Sequence, residues 1–155
     1  MKILITPPTN ATWKTFMTDD NLAYLNTLGD VICNETDHVF SEDELREAIK
    51  DVDIAITGWG TGCFTEKVME NANKLKLIAH TAGSVGSLVS DAVYEKGVRV
   101  VTGNDGFAES VAEGTLAYIL AAQRKIPQFN RDVHQKGWVL WITPTTPCFA
   151  ARSAS

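Results

Sequence analysis

Five short runs constrain this fold more than anything else in the chain. Residues 2–6, 30–33, 53–57, 75–80 and 98–102 are nearly continuous in apolar side chains. A strand with one wet face alternates apolar with polar, so unbroken runs predict strands buried on both faces. Helical patterns fill the intervals. Leu22, Leu25 and Leu28 share a stripe that Gly29 is expected to close in the left-handed conformation. Ser41 and Glu44 have capping-box spacing at the head of a helix over 42–50, with Leu45, Ala48 and Ile49 facing inward. Thr65 is placed to cap a helix carrying Val68, Met69 and Ala72, and Ser90 another that stops at Gly97. Strand and helix alternate five times at roughly 25-residue spacing, and right-handed crossovers then leave few alternatives to one sheet with helices on both faces. The predicted fold is α/β, a doubly wound parallel five-stranded sheet followed by a long C-terminal apolar helix.

That last helix sets the expected domain organisation. Ser110 and Glu113 form a second capping box, and residues 111–125 are then apolar nearly all round. Such a helix needs cover on every side, more than one small sheet face supplies. A second domain or a second subunit is expected there, with a homodimer through this helix as the simplest assembly. Pro127 is expected to end or kink it, with a polar run over 128–137. Residues 139–155 hold one charge and two prolines without a helical period, as in a disordered or non-native tail. The expected divisions are 1–108, 109–138 and 139–155.

Charge and cysteine usage exclude several function classes. Fourteen basic residues against nineteen acidic ones give a net charge of −5, with no cationic cluster to meet the phosphates of a nucleic acid or an anionic membrane. No window approaches the roughly 20 apolar residues of a membrane span. Cys33, Cys63 and Cys148 are scattered, without zinc-binding or disulfide spacing, so a reducing cytoplasm is the expected compartment.

Chemistry is expected on the rim where the loops after the strands converge, at 57–62, 80–87 and 103–107. The first loop, ITGWGTGCF, supplies Gly58 and Gly60, but Cys63 stands where G-x-G-x-x-G needs its third glycine. No acid for a ribose occurs between residues 75 and 89. Gly83 with Gly86 and Gly103 with Gly106 fail the same test, and no phosphate-binding G-x-x-x-x-G-K-[ST] exists. The rim glycines are left with two readings: N–H groups for a small anion such as a carboxylate, or plain turns requiring positive φ. His80 fits a rim acid or base, and more simply a packed residue with its hydrogen bond satisfied. Cys63 fits a nucleophile, and more simply an ordinary thiol. Trp59 either covers a ligand or fills a junction. His38 and His134 have no acidic partner at a telling spacing and read as surface residues. Thr6, Thr9 and Thr12 motivate an FMN-binding module as an alternative, although Pro7 and Pro8 remove donors a phosphate loop would use. A receiver-like domain needs an aspartate where Thr57 stands.

The succession KLKLIAHTAG, the strand G-V-x-V-V at 97–101, S-V-A-E at 110–113 and G-W at 137–138 resembles the D-isomer-specific 2-hydroxyacid dehydrogenase family. The resemblance implies a flavodoxin-like substrate domain, a separate NAD-binding domain, and an active site in the cleft between them. It implies that the S-V-A-E helix crosses between domains. It also implies that a small 2-keto or 2-hydroxy acid is held by its carboxylate on the N–H groups of Ala82, Gly83, Ser84 and Val85, with Trp59 and Gly60 nearby. Two positions depart from the family pattern. AGSVGSLV stands for G-x-G-x-D-N-I-D, and Gly114 for a histidine. The family's dinucleotide motif and its arginine, glutamate and histidine do not follow Trp138. The expectation is therefore an NAD-dependent oxidoreductase lineage, with this chain a truncated or frame-shifted substrate-binding fragment that has no catalytic residue of its own.

Overall fold

The structure, a computed structural model, describes residues 1–137. In chain order its elements are β1 (Lys2–Pro8), α1 (Ala11–Phe16), α2 (Asp19–Leu28), β2 (Asp30–Asn34), α3 (Glu42–Ala48), β3 (Ile54–Thr57), α4 (Glu66–Asn71), β4 (Leu77–His80), α5 (Asp91–Glu95), β5 (Arg99–Thr102), α6 (Asn104–Gln123) and α7 (Ile126–Lys136). The five expected strands form one all-parallel sheet in the order β2-β1-β3-β4-β5. This is the flavodoxin-like winding, with its topological switch between β1 and β3.

Alternation explains why the central runs are unbroken. Leu4 and Ala55 point to one face, where they join Leu45, Ile49, Phe64 and Val68. Ile3, Ile5 and Ile56 point to the other, under Trp13, Met17, Leu22 and Leu25. Successive side chains of one strand thus enter two different cores. The edge strands depart from that expectation. Ile32 of β2 and Val101 of β5 are exposed: β2 packs on one core through Val31 and Cys33 and β5 on the other through Val100, so each edge strand has cover on one face. Pro8 closes β1 beyond a break in register after Ile5, where the missing N–H is tolerated.

Local signals were obeyed unevenly. Ser41 caps α3 in a complete capping box, its hydroxyl accepting from the Glu44 N–H and its own N–H donating to the Glu44 carboxylate at 2.8 Å. Thr65 accepts the Val68 N–H at the head of α4, and α5 stops before Gly97 at φ +73°. Gly29 does follow α2, but at φ 173°, which is extended and not left-handed. Glycine is required there by crowding: a Cβ would lie 2.2 Å from the Met1 carbonyl oxygen. Ser90 sits at the N-cap of α5 without its side-chain cap bond, and its hydroxyl is buried with no partner among the described residues. Ser110 and Glu113 cap nothing, since α6 begins six residues earlier at Asn104, straight from β5. The expected loop over 103–107 is therefore mostly the first turn of a helix. Pro127 opens α7 within its first turn, after Lys125 turns left-handed at φ 52°, so the polar run over 128–137 is largely helix.

The chain divides into two compact units, Met1–Asp105 and a second beginning at Gly106. Within α6, Val111 (64% exposed), Leu116 and Tyr118 (78%) are open apolar side chains. Among the described residues no helix is long and apolar enough to cross a membrane. Trp138 and the segment 139–155 lie outside the described residues.

Candidate functional site

The first unit concentrates polar groups where β1, β3 and β4 end. Thr6 donates its hydroxyl to the Ile56 carbonyl at 3.2 Å and lies 3.0 Å from the Thr61 hydroxyl. Thr61 in turn accepts the Gly58 N–H at 3.0 Å. The loop after β3 thus folds back onto its own strand, and its first glycine donor is consumed internally. Of the rim glycines only Gly60, at φ +77°, needs a left-handed turn, so positive φ does not account for the others.

Beside it, the end of β4 is tied down from both sides. Thr81 donates both its N–H and its hydroxyl to the Thr57 carbonyl, at 2.9 and 3.0 Å. Ala82, buried, accepts the Gly103 N–H at 3.0 Å. Downstream, Phe64 pairs with Val89, accepts the Ser90 N–H and donates to the Leu88 carbonyl at 2.7 Å. Val85 packs on the main core. Between these anchors the N–H groups of Ala82, Gly83, Ser84 and Val85 have no hydrogen-bond partner among the described residues. Unspent backbone donors in a fixed loop are what an anion needs, because they lose little freedom on binding it. A Cβ at Gly83 would come within 3.1 Å of the Asn104 side-chain oxygen, so the loop lies close against the first turn of α6.

The two loops meet at Gly58 and Thr81. A Cβ at Gly58 would stand 2.9 Å from the Thr81 hydroxyl and 3.3 Å from Pro7. In front of that contact is a cleft of about 20 Å³, lined by Trp13, Phe16, Ile56, Gly58, Trp59 and Thr81 among others. Trp59, 64% exposed, meets the Phe16 ring edge-on with centroids 5.1 Å apart. Gly60 points elsewhere, toward Val39 and Pro8. The structure therefore brings Trp59 beside Thr81, the residue preceding Ala82, and leaves Gly60 outside the cleft. α1 and the residues after it were missed from the sequence. The spacing of Trp13, Phe16 and Met17 at i, i+3 and i+4 carries the signal that could have found them.

The titratable candidates resolve into supporting roles. His80 is 7% exposed and its Nδ1 lies 2.9 Å from the Thr57 hydroxyl, a packed histidine with its bond satisfied. Burial holds its pKa below the ordinary value. Burial, then Glu66 and Glu42, push the Cys63 thiol up, which disfavours a nucleophilic thiolate. His38 is exposed as expected but not without partners: Nε2 lies 3.1 Å from Glu44 and Nδ1 3.3 Å from Asp37. The loop before α3 folds back to bring them together, which spacing alone does not reveal. Thr9 donates its hydroxyl to the Asn34 carbonyl at 2.7 Å, so it and Thr6 are committed within the fold and not held out for a phosphate. Among the described residues no group of three histidine, cysteine or acidic side chains is placed to hold a metal.

Comparison with known proteins agrees with this architecture. Residues 4–152 match the family described as D-isomer specific 2-hydroxyacid dehydrogenase, catalytic domain. A D-3-phosphoglycerate dehydrogenase of Methanocaldococcus jannaschii is 35% identical over 138 residues, covering 89% of this chain and 24% of that protein. The chain thus spans about a quarter of that relative's length. The crystal structure of the PH0520 protein from Pyrococcus horikoshii superposes with a TM-score of 0.71 at 25% identity, over 88% of this chain and 38% of that one. An NAD-dependent formate dehydrogenase from Staphylococcus aureus, solved in complex with NAD, superposes with a TM-score of 0.62 at 25% identity, over 90% and 42%. With its sheet order and nearly its whole length accounted for in this way, the chain belongs to the D-isomer specific 2-hydroxyacid dehydrogenase family and carries that family's catalytic domain.

Proposed function

We propose that this chain is the substrate-holding domain of an NAD(P)-dependent oxidoreductase that interconverts a small 2-hydroxy acid and its 2-keto acid. The observation that carries it is the row of unspent N–H groups at 82–85, held between the Thr57–Thr81 and Phe64–Val89 contacts. A carboxylate accepting several N–H bonds is fixed in position and orientation at once, and its attached C2 is then presented over the rim. Thr81, which directly precedes this row, lines a cleft together with Trp59.

The residues present do not fit a dinucleotide. Cys63 replaces the third glycine, Thr61 takes the Gly58 N–H, and the nearby threonine hydroxyls are committed. We therefore assign the cofactor to a part of the full-length protein outside these 155 residues. The formate dehydrogenase of which this chain covers 42% was solved with NAD bound, which supports NAD as the cofactor at the level of the family. In this proposal the chain alone binds and orients the acid and catalyses nothing.

Amide NMR of the isolated chain tests it, with calorimetric titration of NADH alongside. A 2-hydroxy acid is expected to move the signals of residues 82–85, and NADH to give no binding heat. Unmoved signals at 82–85 would refute the carboxylate assignment, and tight NADH binding would refute the division of labour.

A further inference from the structure

One titratable side chain is buried where the 81–89 loop closes on the main core. Ala55 and Ile78 belong to that core, so Thr57 and His80, two residues further along β3 and β4, point to the same face. They are register partners at the ends of their strands, with His80 Nδ1 2.9 Å from the Thr57 hydroxyl. Both strands stop there and the chain folds back: Val85, Leu88 and Val89 pack on the main core, and Phe64 is fully buried beside Val89. With the loop closed in this way, His80 is 7% exposed. No charge is at hand to offset an imidazolium in that position. Its register partners are Thr57 on β3 and Thr102 on β5, and no titratable residue occurs from Thr81 to Val89. Next to Phe64, Cys63 is acted on by Glu66 and Glu42, but neither reaches His80, whose pKa is lowered by burial alone.

We infer that His80 is a proton-operated catch under this loop: neutral, it lets residues 81–89 close on the core, and protonated, it drives them off. A buried imidazolium without a counter-charge must recover its hydration. β4 is paired on both sides and cannot yield, so the loop is the part that moves. Opening hydrates the ring and returns its pKa toward the ordinary 6.5, so opening takes up a proton below that value. Its equilibrium constant then grows about tenfold per pH unit, until the ring of the closed form itself titrates. The catch stands on the fold of the first unit alone. Its bearing on binding rests on the proposal that 82–85 holds a carboxylate: an acid seated on the closed row opposes the opening, so acid and proton compete.

Amide hydrogen exchange of the chain, followed as pH is lowered from neutral, tests the catch. The reporters are the N–H groups of Phe64, Ser90 and Gly103, which donate to the carbonyls of Leu88, Phe64 and Ala82. Their protection factors are expected to fall about tenfold per pH unit below the ordinary histidine value, while those of β1 and β3 hold. His80→Gln should leave all of them flat. The His80 ring signals of the wild type give a second measurement, with a midpoint expected at the pH where the loss of protection levels off. Protection that stays constant at Phe64, Ser90 and Gly103 through the ring titration overturns the catch. A loss shared equally by β1 and β3 overturns it too, since the whole unit is then unfolding. Saturating D-lactate should restore the lost protection, and D-lactate that shifts 82–85 without restoring it overturns the competition. D-lactate that moves no signal at 82–85 overturns the acid reading and leaves the catch standing.

Discussion

The loops after β3 and β4 lie together at the carboxyl end of the sheet and are both rich in glycine, yet they use their backbone donors differently. The first closes on itself: Gly58 donates to Thr61, which is also bonded to Thr6. The second is gripped at both ends, by Thr57 and Phe64, and keeps the donors of 82–85 unspent between the grips. A count of glycines ranks the first loop higher, with three in ITGWGTG. An account of where each N–H goes reverses the order, because a donor already bonded offers nothing to a ligand.

The sharpest way to break the comparison is to loosen the end of β4 from which the second loop starts. Thr57→Val leaves the two bonds from Thr81 to the Thr57 carbonyl in place but strips the buried His80 Nδ1 of its partner, which costs about 1–3 kcal/mol. Thermal unfolding is expected to show the loss, with exchange broadening at 82–85. His80 also gives the wild type a pH slope. Its pKa is lowered by burial, so the unfolded chain protonates first, and stability falls as pH drops from about 6.5 through the lower folded value. His80→Gln should flatten that slope in a series of melting curves.

A smaller change acts on the first loop. Thr61→Val removes the hydroxyl that serves Thr6 and Gly58, at about 0.5–1.5 kcal/mol. It frees the Gly58 donor without creating a second carboxylate site, so acid binding at 82–85 should be unchanged. Acid-induced shifts appearing at Gly58 would blur the contrast between the loops. Ser84→Ala should be milder still, within about 0.5 kcal/mol, since the hydroxyl accepts only a 3.4 Å contact from Gly86. Acid affinity should survive it, because the backbone and not the hydroxyl is the donor.

The least effect is expected away from the rim, at His38 and Glu44. Hydrogen bonds to Glu44 and then Asp37 raise the His38 pKa, so its contribution is present below about 6.5 and lost as pH rises through the raised folded value. Bonds from Ser41, then His38, hold Glu44 at about 2, so its share is present above the ordinary 4.5 and fades as pH falls toward that value. A ring titration of His38 checks the first, and an ordinary midpoint there would remove the pair.

Much of this was legible in residues 1–100. The apolar runs marked the three central strands because each feeds two cores, and marked the edge strands β2 and β5 although each packs on one core only; the Ser41–Glu44 spacing marked α3 because a capping box is closed within four residues. The same spacing at Ser110–Glu113 misled, since α6 had already started at Asn104, where β5 delivers the chain. α1 was missed because its six residues are too few to show a period, although Trp13, Phe16 and Met17 lie on one stripe. Pro127 is expected to end or kink the apolar helix, and α6 does stop at Gln123; what the proline alone does not tell is that it stands in the first turn of a further helix, α7, a position that needs no N–H from it.

The amino-acid sequence by itself determined the number of strands, their parallel winding and the two rim loops after β3 and β4, all of which follow from local apolar period and crossover handedness. Only the tertiary structure decided which rim donors are free. Whether the N–H of Gly58 or of Gly83 is available depends on partners such as Thr61, Thr57 and Phe64, and on distances that hydrogen bonds measure across strands and not along the chain.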